Sequence, residues 1–177
     1  MRRVILSGGP GAGKTSLLAE LSRRGYSTVS ESARELIAER LVRGDPPRPE
    51  PTAFARELLR RDKLKYVSLP AECQIVFFDR SPIESLGMVQ ETAPLPQAQL
   101  QAELASFRFH SSVFMLPPWQ EIYRTDAERD HTFEHATQVH ASLVRWYTKC
   151  GFSIHEVPKL AVAARAEHVL HALLGDA

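Results

Sequence analysis

The amino-acid sequence predicts an α/β protein, a three-layer sandwich in which a five-stranded parallel sheet carries helices on both faces. Short apolar segments alternate along the chain with longer segments of helical periodicity. The apolar segments are nearly continuous, as expected for strands buried on both faces of a parallel sheet. A length of 177 residues with 44% hydrophobic content suits a single domain over residues 1–177.

The first half of the chain contains three predicted strands and three predicted helices. Strands are predicted at 3–7, 26–30 and 74–79, and helices from about 14 to 25, from 32 to 43 and from 52 to 69. A proline-rich break at 44–49 separates the second and third helices. The strand at 74–79 is the clearest, because it is continuously apolar and ends in an acid.

The second half continues the alternation. Helices are predicted at 82–91, 97–107, 131–150 and 162–174, and strands at 112–116 and 152–157. Two prolines, Pro117 and Pro118, end the fourth strand. The helix at 131–150 carries an apolar stripe that we expect to face the core.

A glycine-rich loop lies between the first strand and the first helix. Residues 8–15 match G-x-x-x-x-G-K-[ST], the phosphate-binding P-loop, which predicts the fold of a P-loop NTPase. Glycines allow backbone amides to turn toward a polyphosphate, and the helix N-terminus adds a favourable field. The residues expected to bind ATP, or GTP in its place, are Gly8, Gly11, Ala12, Gly13, Lys14, Thr15 and Ser16. Lys14 would contact the β- and γ-phosphates, and Thr15 would ligate Mg²⁺.

Charged residues follow the strands, whereas the strands themselves carry almost none. Glu31 and Arg34 follow the second strand, and Asp79 and Arg80 follow the third. Because ligands bind at the carboxyl ends of strands in such sheets, these residues are candidates for binding a substrate. Asp79 could hold Mg²⁺, or it could cap the helix that follows.

The other charged residues also allow two interpretations. Glu31 could accept a proton from an acceptor hydroxyl, or it could be a first-turn glutamate that complements a helix dipole. Arg80 could clamp an acceptor phosphate or the transferring phosphoryl group. Arg124 and Arg129 lie in a polar segment and suggest a lid, at about 117–131, that closes over the phosphates; alternatively they are solvated surface charges.

Four segments together resemble a known group of proteins. They are residues 8–15, 31–34, 78–81 and 121–129. With Tyr147 and the segment 151–158, they resemble a family of small AAA-type predicted ATPases related to the nicotinamide riboside kinase domain, over essentially the full length. The resemblance to nucleoside and nucleotide kinases implies that Glu31 is the base. It also implies that Asp79-Arg80-Ser81 binds a sugar and magnesium.

Several other classes of protein are disfavoured. A net charge of +1 provides no overall electrostatic field that would attract nucleic acid or an anionic membrane. The chain contains no asparagine, so the guanine-reading NKxD motif of Ras-like GTPases is absent. Cys73 and Cys150 form no CxxC pair, which favours reduced thiols and a cytoplasmic location. His131 and His135 lack the glutamate of a zinc-binding HExxH motif.

The sequence therefore predicts a Mg-dependent phosphotransferase that moves the γ-phosphate of ATP to a small nucleoside- or nucleotide-like acceptor. The alternative is a nucleotide-hydrolysing switch that acts on a protein partner. A kinase requires a second pocket beside the γ-phosphate, which we expect Glu31, Arg34 and Asp79 to line. A switch requires no such pocket.

Overall fold

A computed structural model describes residues 1–70, 72, 74–124 and 132–175 of the chain. Its strands are β1 (Arg2–Gly8), β2 (Ser27–Val29), β3 (Ile75–Asp79), β4 (Ser112–Leu116) and β5 (Ser153–Glu156). They form one parallel sheet in the order β2-β3-β1-β4-β5. The predicted five-stranded parallel sheet is confirmed, with a second strand shorter than expected.

The helices also follow the predicted order. They are α1 (Lys14–Arg23), α2 (Ser32–Arg43), α3 (Pro51–Val67), α4 (Pro82–Thr92), α5 (Gln97–Ala105), α6 (Phe133–Lys149) and α7 (Val162–Gly175). A short 3-10 turn at Gln120–Ile122 was not predicted. Thr132 caps α6, because its hydroxyl accepts a bond from the His135 amide, so this helix begins two residues after the predicted start.

Helices cover both faces of the sheet. On one face, α1 and α7 pack against alternate residues of the strands, namely Val4, Leu6, Phe77, Phe114 and Leu116. The intervening residues Ile5, Val113 and Met115 face α4 and α6 through Ile83 and Tyr147. This alternation places the strand side chains in two separate hydrophobic cores.

The second helix packs on another helix. Leu36 and Ile37 of α2 form a buried cluster with Phe54 and Leu58 of α3. Helix α3 packs in turn against α4. Residues of α2 and α3 line the large cavity described below.

The strand register brings the predicted site residues to the same edge of the sheet. Leu6 is the partner of Asp79, and Gly8 is the partner of Leu116. Strand β3 therefore ends beside Leu6, two residues before β1 ends at Gly8, so the residues after β3 run alongside the end of β1 and next to the glycine-rich loop. This is the edge where parallel sheets of this kind bind ligands.

Candidate functional site

The glycine-rich loop adopts backbone conformations that require glycine. Gly11 and Gly13 have φ angles of 78° and 85°, in the left-handed region. A Cβ atom at Gly11 would lie 2.4 Å from the ring of Tyr123. Both the backbone conformation and this close ring therefore exclude a side chain at Gly11.

Lys14 lies at the first position of α1 and is buried, at 6% exposure. Its Nζ donates to the carbonyl oxygens of Gly8 and Gly9 at 3.0 and 3.1 Å. Burial, followed by the positive charge of Arg80, lowers the pKa of Lys14. The ammonium is thus held at the start of a helix, where the backbone amides also favour an anion.

Arg80 is the only non-glycine residue with a positive φ in the described part of the chain, at 70°. Its amide donates to the Leu6 carbonyl at 3.0 Å. This conformation turns the side chain toward two carboxylates. Nε donates to Glu31 Oε1 at 2.7 Å, and Nη1 donates to Glu84 Oε1. Strain of this kind persists where surrounding contacts hold it, often at functional sites.

Glu84 is a buried member of this site that the sequence analysis missed. Its Oε2 accepts bonds from the Ser7 hydroxyl at 2.7 Å and the Tyr147 hydroxyl at 3.2 Å. The Tyr147 hydroxyl also lies 2.9 Å from Ser81 Oγ. Buried polar networks that are fully bonded are rigid, so Glu84 fixes one side of the Arg80 guanidinium.

Glu31 is positioned by ion pairs. It is the N-terminal cap residue of α2, but its side chain makes no capping hydrogen bond. Its carboxylate instead contacts Arg80 and, at 3.5 Å, Arg34. Burial alone would raise the pKa of Glu31, but the charges of Arg80 and Lys14 outweigh it and hold the pKa below its usual value. Glu31 is therefore ionised at neutral pH.

Asp79 is 8% exposed at the end of β3. Its Oδ1 has no hydrogen-bond partner in the part of the chain that the structure describes. Burial raises the pKa of Asp79 to about 6, against the attraction of Lys14. The alternative role as a helix cap is wrong, because Ser81 caps α4 by accepting from the Glu84 amide at 3.3 Å. An unsatisfied buried carboxylate oxygen fits a ligand to Mg²⁺, either directly or through water.

A cavity of about 1010 Å³ runs from the glycine-rich loop to a second compartment between α2, α3, α4 and α6. Its loop end is lined by residues 10–16. The second compartment is lined by Glu31, Ser32, Arg34, Ile37, Arg48, Phe54, Leu58, Asp62, Glu84, Ser85, Met88, Glu91 and Trp146. Glu31 and Arg34 therefore line it as predicted, but the buried Asp79 is not among its lining residues.

Asp62 of α3 is a second residue that the sequence analysis missed. Its two carboxylate oxygens accept bonds from Ser32 and Ser85, each at 2.5 Å. These contacts join α3 to the first turns of α2 and α4. Burial raises the pKa of Asp62 despite both hydroxyl donors.

The predicted lid is described only in part. Arg124 is exposed, and its Nη1 donates to the carbonyl oxygens of Tyr123 and Glu121 at 2.8 and 3.3 Å. It is not one of the residues that line the cavity. Arg129 and the rest of 125–131 lie outside the described residues.

Two predictions about other kinds of site can be compared with the structure. Across the described ranges, no cluster of three or more His, Cys, Asp or Glu side chains could hold a metal ion. Cys150 is a free thiol whose pKa burial raises to about 11, whereas Cys73 and His131 lie outside those ranges. In the same ranges no helix combines the length and hydrophobicity that crossing a membrane needs.

Comparison with known proteins defines the family. The family model described as AAA domain matches residues 3–165, almost the whole chain. The chain belongs to this AAA domain family. No curated protein sequence matches it. The predicted membership of a small AAA-type P-loop family is thus confirmed.

The solved structures similar to this AAA-domain protein include two kinases and the protein NadR. Deoxyadenosine kinase from M. mycoides, solved with dCMP and dCDP, has 17% sequence identity and a TM-score of 0.68 over 99% of this chain and 100% of its own. NadR in complex with NR has 18% identity and a TM-score of 0.72, covering 98% of this chain but 52% of NadR. Shikimate kinase from Acinetobacter baumannii, solved with shikimate, has 19% identity and a TM-score of 0.56, and the match covers 99% of this chain and 94% of the shikimate kinase chain. The fold is therefore that of a P-loop kinase.

Proposed function

We propose that this protein is a phosphotransferase that moves the γ-phosphate of ATP to a hydroxyl group of a small nucleoside- or nucleotide-like acceptor. The supporting observation is the continuity of the cavity from the glycine-rich loop to the compartment lined by Glu31. A volume of about 1010 Å³ is large enough for two small molecules in a row. The kinase fold adds support, since two of the similar structures are named as kinases and a third, NadR, is in complex with NR.

Each end of the cavity has the chemistry that its ligand requires. Lys14, the loop amides and Ser16 would bind the phosphates of ATP, or of GTP in its place. Asp79 would hold Mg²⁺ together with Thr15, and the ion would offset negative charge on the phosphates. In the second compartment, apolar Phe54 and Trp146 would cover a base or ring, with polar groups beside them for its hydroxyls.

The transfer step needs an oriented hydroxyl. The acceptor oxygen forms a bond to the γ-phosphorus while the bond to the β,γ-bridging oxygen breaks, and the leaving nucleoside diphosphate keeps that electron pair. The acceptor proton passes to the Glu31 carboxylate. Because its pKa is lowered, Glu31 is a carboxylate anion before the reaction. In this form it orients the acceptor hydroxyl, and it accepts the proton late in the step. Arg80, and the lid residues Arg124 and Arg129 after closure, would offset charge on the transferring group. Arg34 lies where it would contact the acceptor.

As part of the same proposal, the protein is cytoplasmic, and its activity requires neither a nucleic acid nor a membrane. A protein partner belongs to the alternative function, the nucleotide-dependent switch. The alternative predicts slow hydrolysis that no small acceptor accelerates.

A labelled-phosphate assay tests the proposal. The protein is incubated with γ-labelled ATP, Mg²⁺ and a panel of nucleosides, nucleotides and nicotinamide riboside, and labelled products are separated. We expect a labelled acceptor with wild type, and none with Lys14→Ala or in excess EDTA. Release of labelled phosphate alone, at the same rate with every acceptor, would instead support the switch.

A further inference from the structure

Arg165 of α7 lies beside the glycine-rich loop, far in sequence from every other site residue. It lines the same cavity as Lys14 and is 5% exposed. Its guanidinium carbon is 5.5 Å from the centre of the Trp119 ring, and its Nη1 lies 3.4 Å from the Gly13 carbonyl oxygen. A Cβ atom at Gly13 would lie 2.7 Å from that nitrogen, so the loop and the arginine are in close contact.

The charge of this guanidinium is poorly balanced. In the described parts of the chain, Arg165 forms no ion pair with a carboxylate, and its buried Nε has no hydrogen-bond partner. Burial lowers the pKa of Arg165, and no nearby acid opposes that shift. A buried cation without an anion is costly, whereas the Trp119 contact recovers only a small part of that cost.

The position of Arg165 indicates that a bound phosphate would supply the anion that balances its charge. Gly13 precedes Lys14, so the guanidinium lies next to the amides that would hold a polyphosphate. Arginine binds phosphate through paired N–H groups. The contacts with the Trp119 ring and the Gly13 carbonyl restrict the guanidinium before any ligand arrives, which lowers the entropy that binding must remove.

We propose that Arg165 binds the phosphate chain of the nucleotide. This inference rests on the proposed nucleotide binding, to which it adds a phosphate-binding side chain from α7. It also assigns the final helix of the fold a role in nucleotide binding. Contact with the base instead of the phosphates is the competing interpretation.

The variant Arg165→Met tests the inference, because methionine keeps an apolar side chain of similar length and removes the charge. The measurement is the dissociation constant, by calorimetry, for Mg-ATP and for tripolyphosphate, which has the phosphates but no base. Arg23→Met is the matched control, since Arg23 is highly exposed at the other end of α1. Arg165→Lys retains the positive charge without the planar donors.

We expect Arg165→Met to weaken both ligands by about 10- to 100-fold, the range for one charged hydrogen bond. Arg165→Lys should recover part of this loss, and Arg23→Met should bind like wild type. Without ligand, the midpoint of thermal unfolding of Arg165→Met should equal or exceed that of wild type, because an unbalanced buried charge has been removed.

Two results would overturn the inference. One is unchanged affinity of Arg165→Met for both ligands, whatever happens to its unfolding midpoint. The other is a loss of affinity confined to ATP, which would indicate contact with the base. If Arg165→Met fails to fold, Arg165→Lys decides, and wild-type affinity together with a lowered midpoint would overturn the inference. A wild-type protein that binds neither ligand would contradict the nucleotide-binding proposal itself.

Discussion

The Arg80 guanidinium and the Glu31 carboxylate form an ion pair, with Nε 2.7 Å from Oε1, that joins the end of β3 to the start of α2. Both side chains are largely buried, at 20% and 13% exposure. Since Glu84 binds the same guanidinium from the opposite side, Arg80 fixes the position of Glu31 at the wall of the cavity. The proposed base is thus held in place by a residue whose own backbone is in the left-handed region.

Arg80→Ala should destabilise the protein strongly. The change leaves Glu31 and Glu84 as buried carboxylates without their shared cation, and losing one partner of a buried ion pair costs roughly 3–5 kcal/mol. The free energy of unfolding from urea titration measures this loss. Arg60→Ala is the control, because the Arg60–Glu57 pair is exposed, and its stability should stay close to wild type. Equal stability of Arg80→Ala and wild type would contradict a structural role for the pair.

Tyr147→Phe should cost less than Arg80→Ala. The substitution removes one hydroxyl that bonds to Ser81 and Glu84 and leaves the buried ring in place. The expected loss is roughly 1–2 kcal/mol, the value of a buried hydrogen bond whose partner keeps another donor. Chemical denaturation measures it, and a loss as large as that of Arg80→Ala would show that the network is centred on Tyr147.

The stability of the protein without ligands should depend on pH through Asp79. Its pKa is raised from 3.8 to about 6, so the fold favours the protonated form. The stabilising contribution is complete below the unfolded pKa and is lost as pH rises through about 6. The expected loss is roughly 2 kcal/mol between pH 4 and pH 7, because part of the contribution is already lost at pH 4.

Thermal melts of wild type and Asp79→Asn over this pH range isolate the contribution of Asp79. The asparagine variant cannot titrate at this position, so its midpoint should fall less than that of wild type as the pH rises. Parallel curves for the two proteins would show that Asp79 is not desolvated. Added Mg²⁺ with ATP should stabilise wild type more at pH 7 than at pH 5, because the ion requires the carboxylate.

Nucleotide binding should depend on Lys14. Its Nζ already lies at the loop carbonyls, and its charged bond to phosphate is worth roughly 1.5–3 kcal/mol. Mg-ATP should therefore raise the unfolding midpoint of wild type, and Lys14→Ala should lose most of that shift. Lys159→Ala, which removes an exposed lysine, should retain it. No shift with wild type at millimolar ATP or GTP would contradict the role of the loop.

The sequence predicted the residues that follow the strands, because local rules govern them. A continuous apolar segment identifies a buried strand, and the polar residue after it lies at the ligand-binding edge of the sheet. Glu31 and Asp79 were found in this way, and Lys14 was found from the glycine-rich motif at residues 8–15. Local patterns do not reveal which charges face each other, so the joint contact of Arg80 with Glu31 and Glu84 depends on tertiary structure.

The residues that were missed lie inside helices. Asp62 and Arg165 each occupy a buried stripe, at four-residue spacing from Leu58 and Val169 respectively. A charged residue on an otherwise apolar stripe is the available signal for both residues. Glu84 had a weaker signal, because α4 is buried on nearly every side and has no distinct apolar stripe.

The ratio of phosphate transfer to hydrolysis in wild type and Glu31→Gln tests the central claim most directly. Both proteins are given Mg-ATP with the best acceptor from the panel, and labelled acceptor and free phosphate are counted separately. We expect Glu31→Gln to reduce transfer by about 10²–10⁴-fold, with the dissociation constant for ATP and the slow hydrolysis nearly unchanged. Equal transfer by the two proteins, or no labelled acceptor from either, would contradict a phosphotransferase that uses Glu31 as its base.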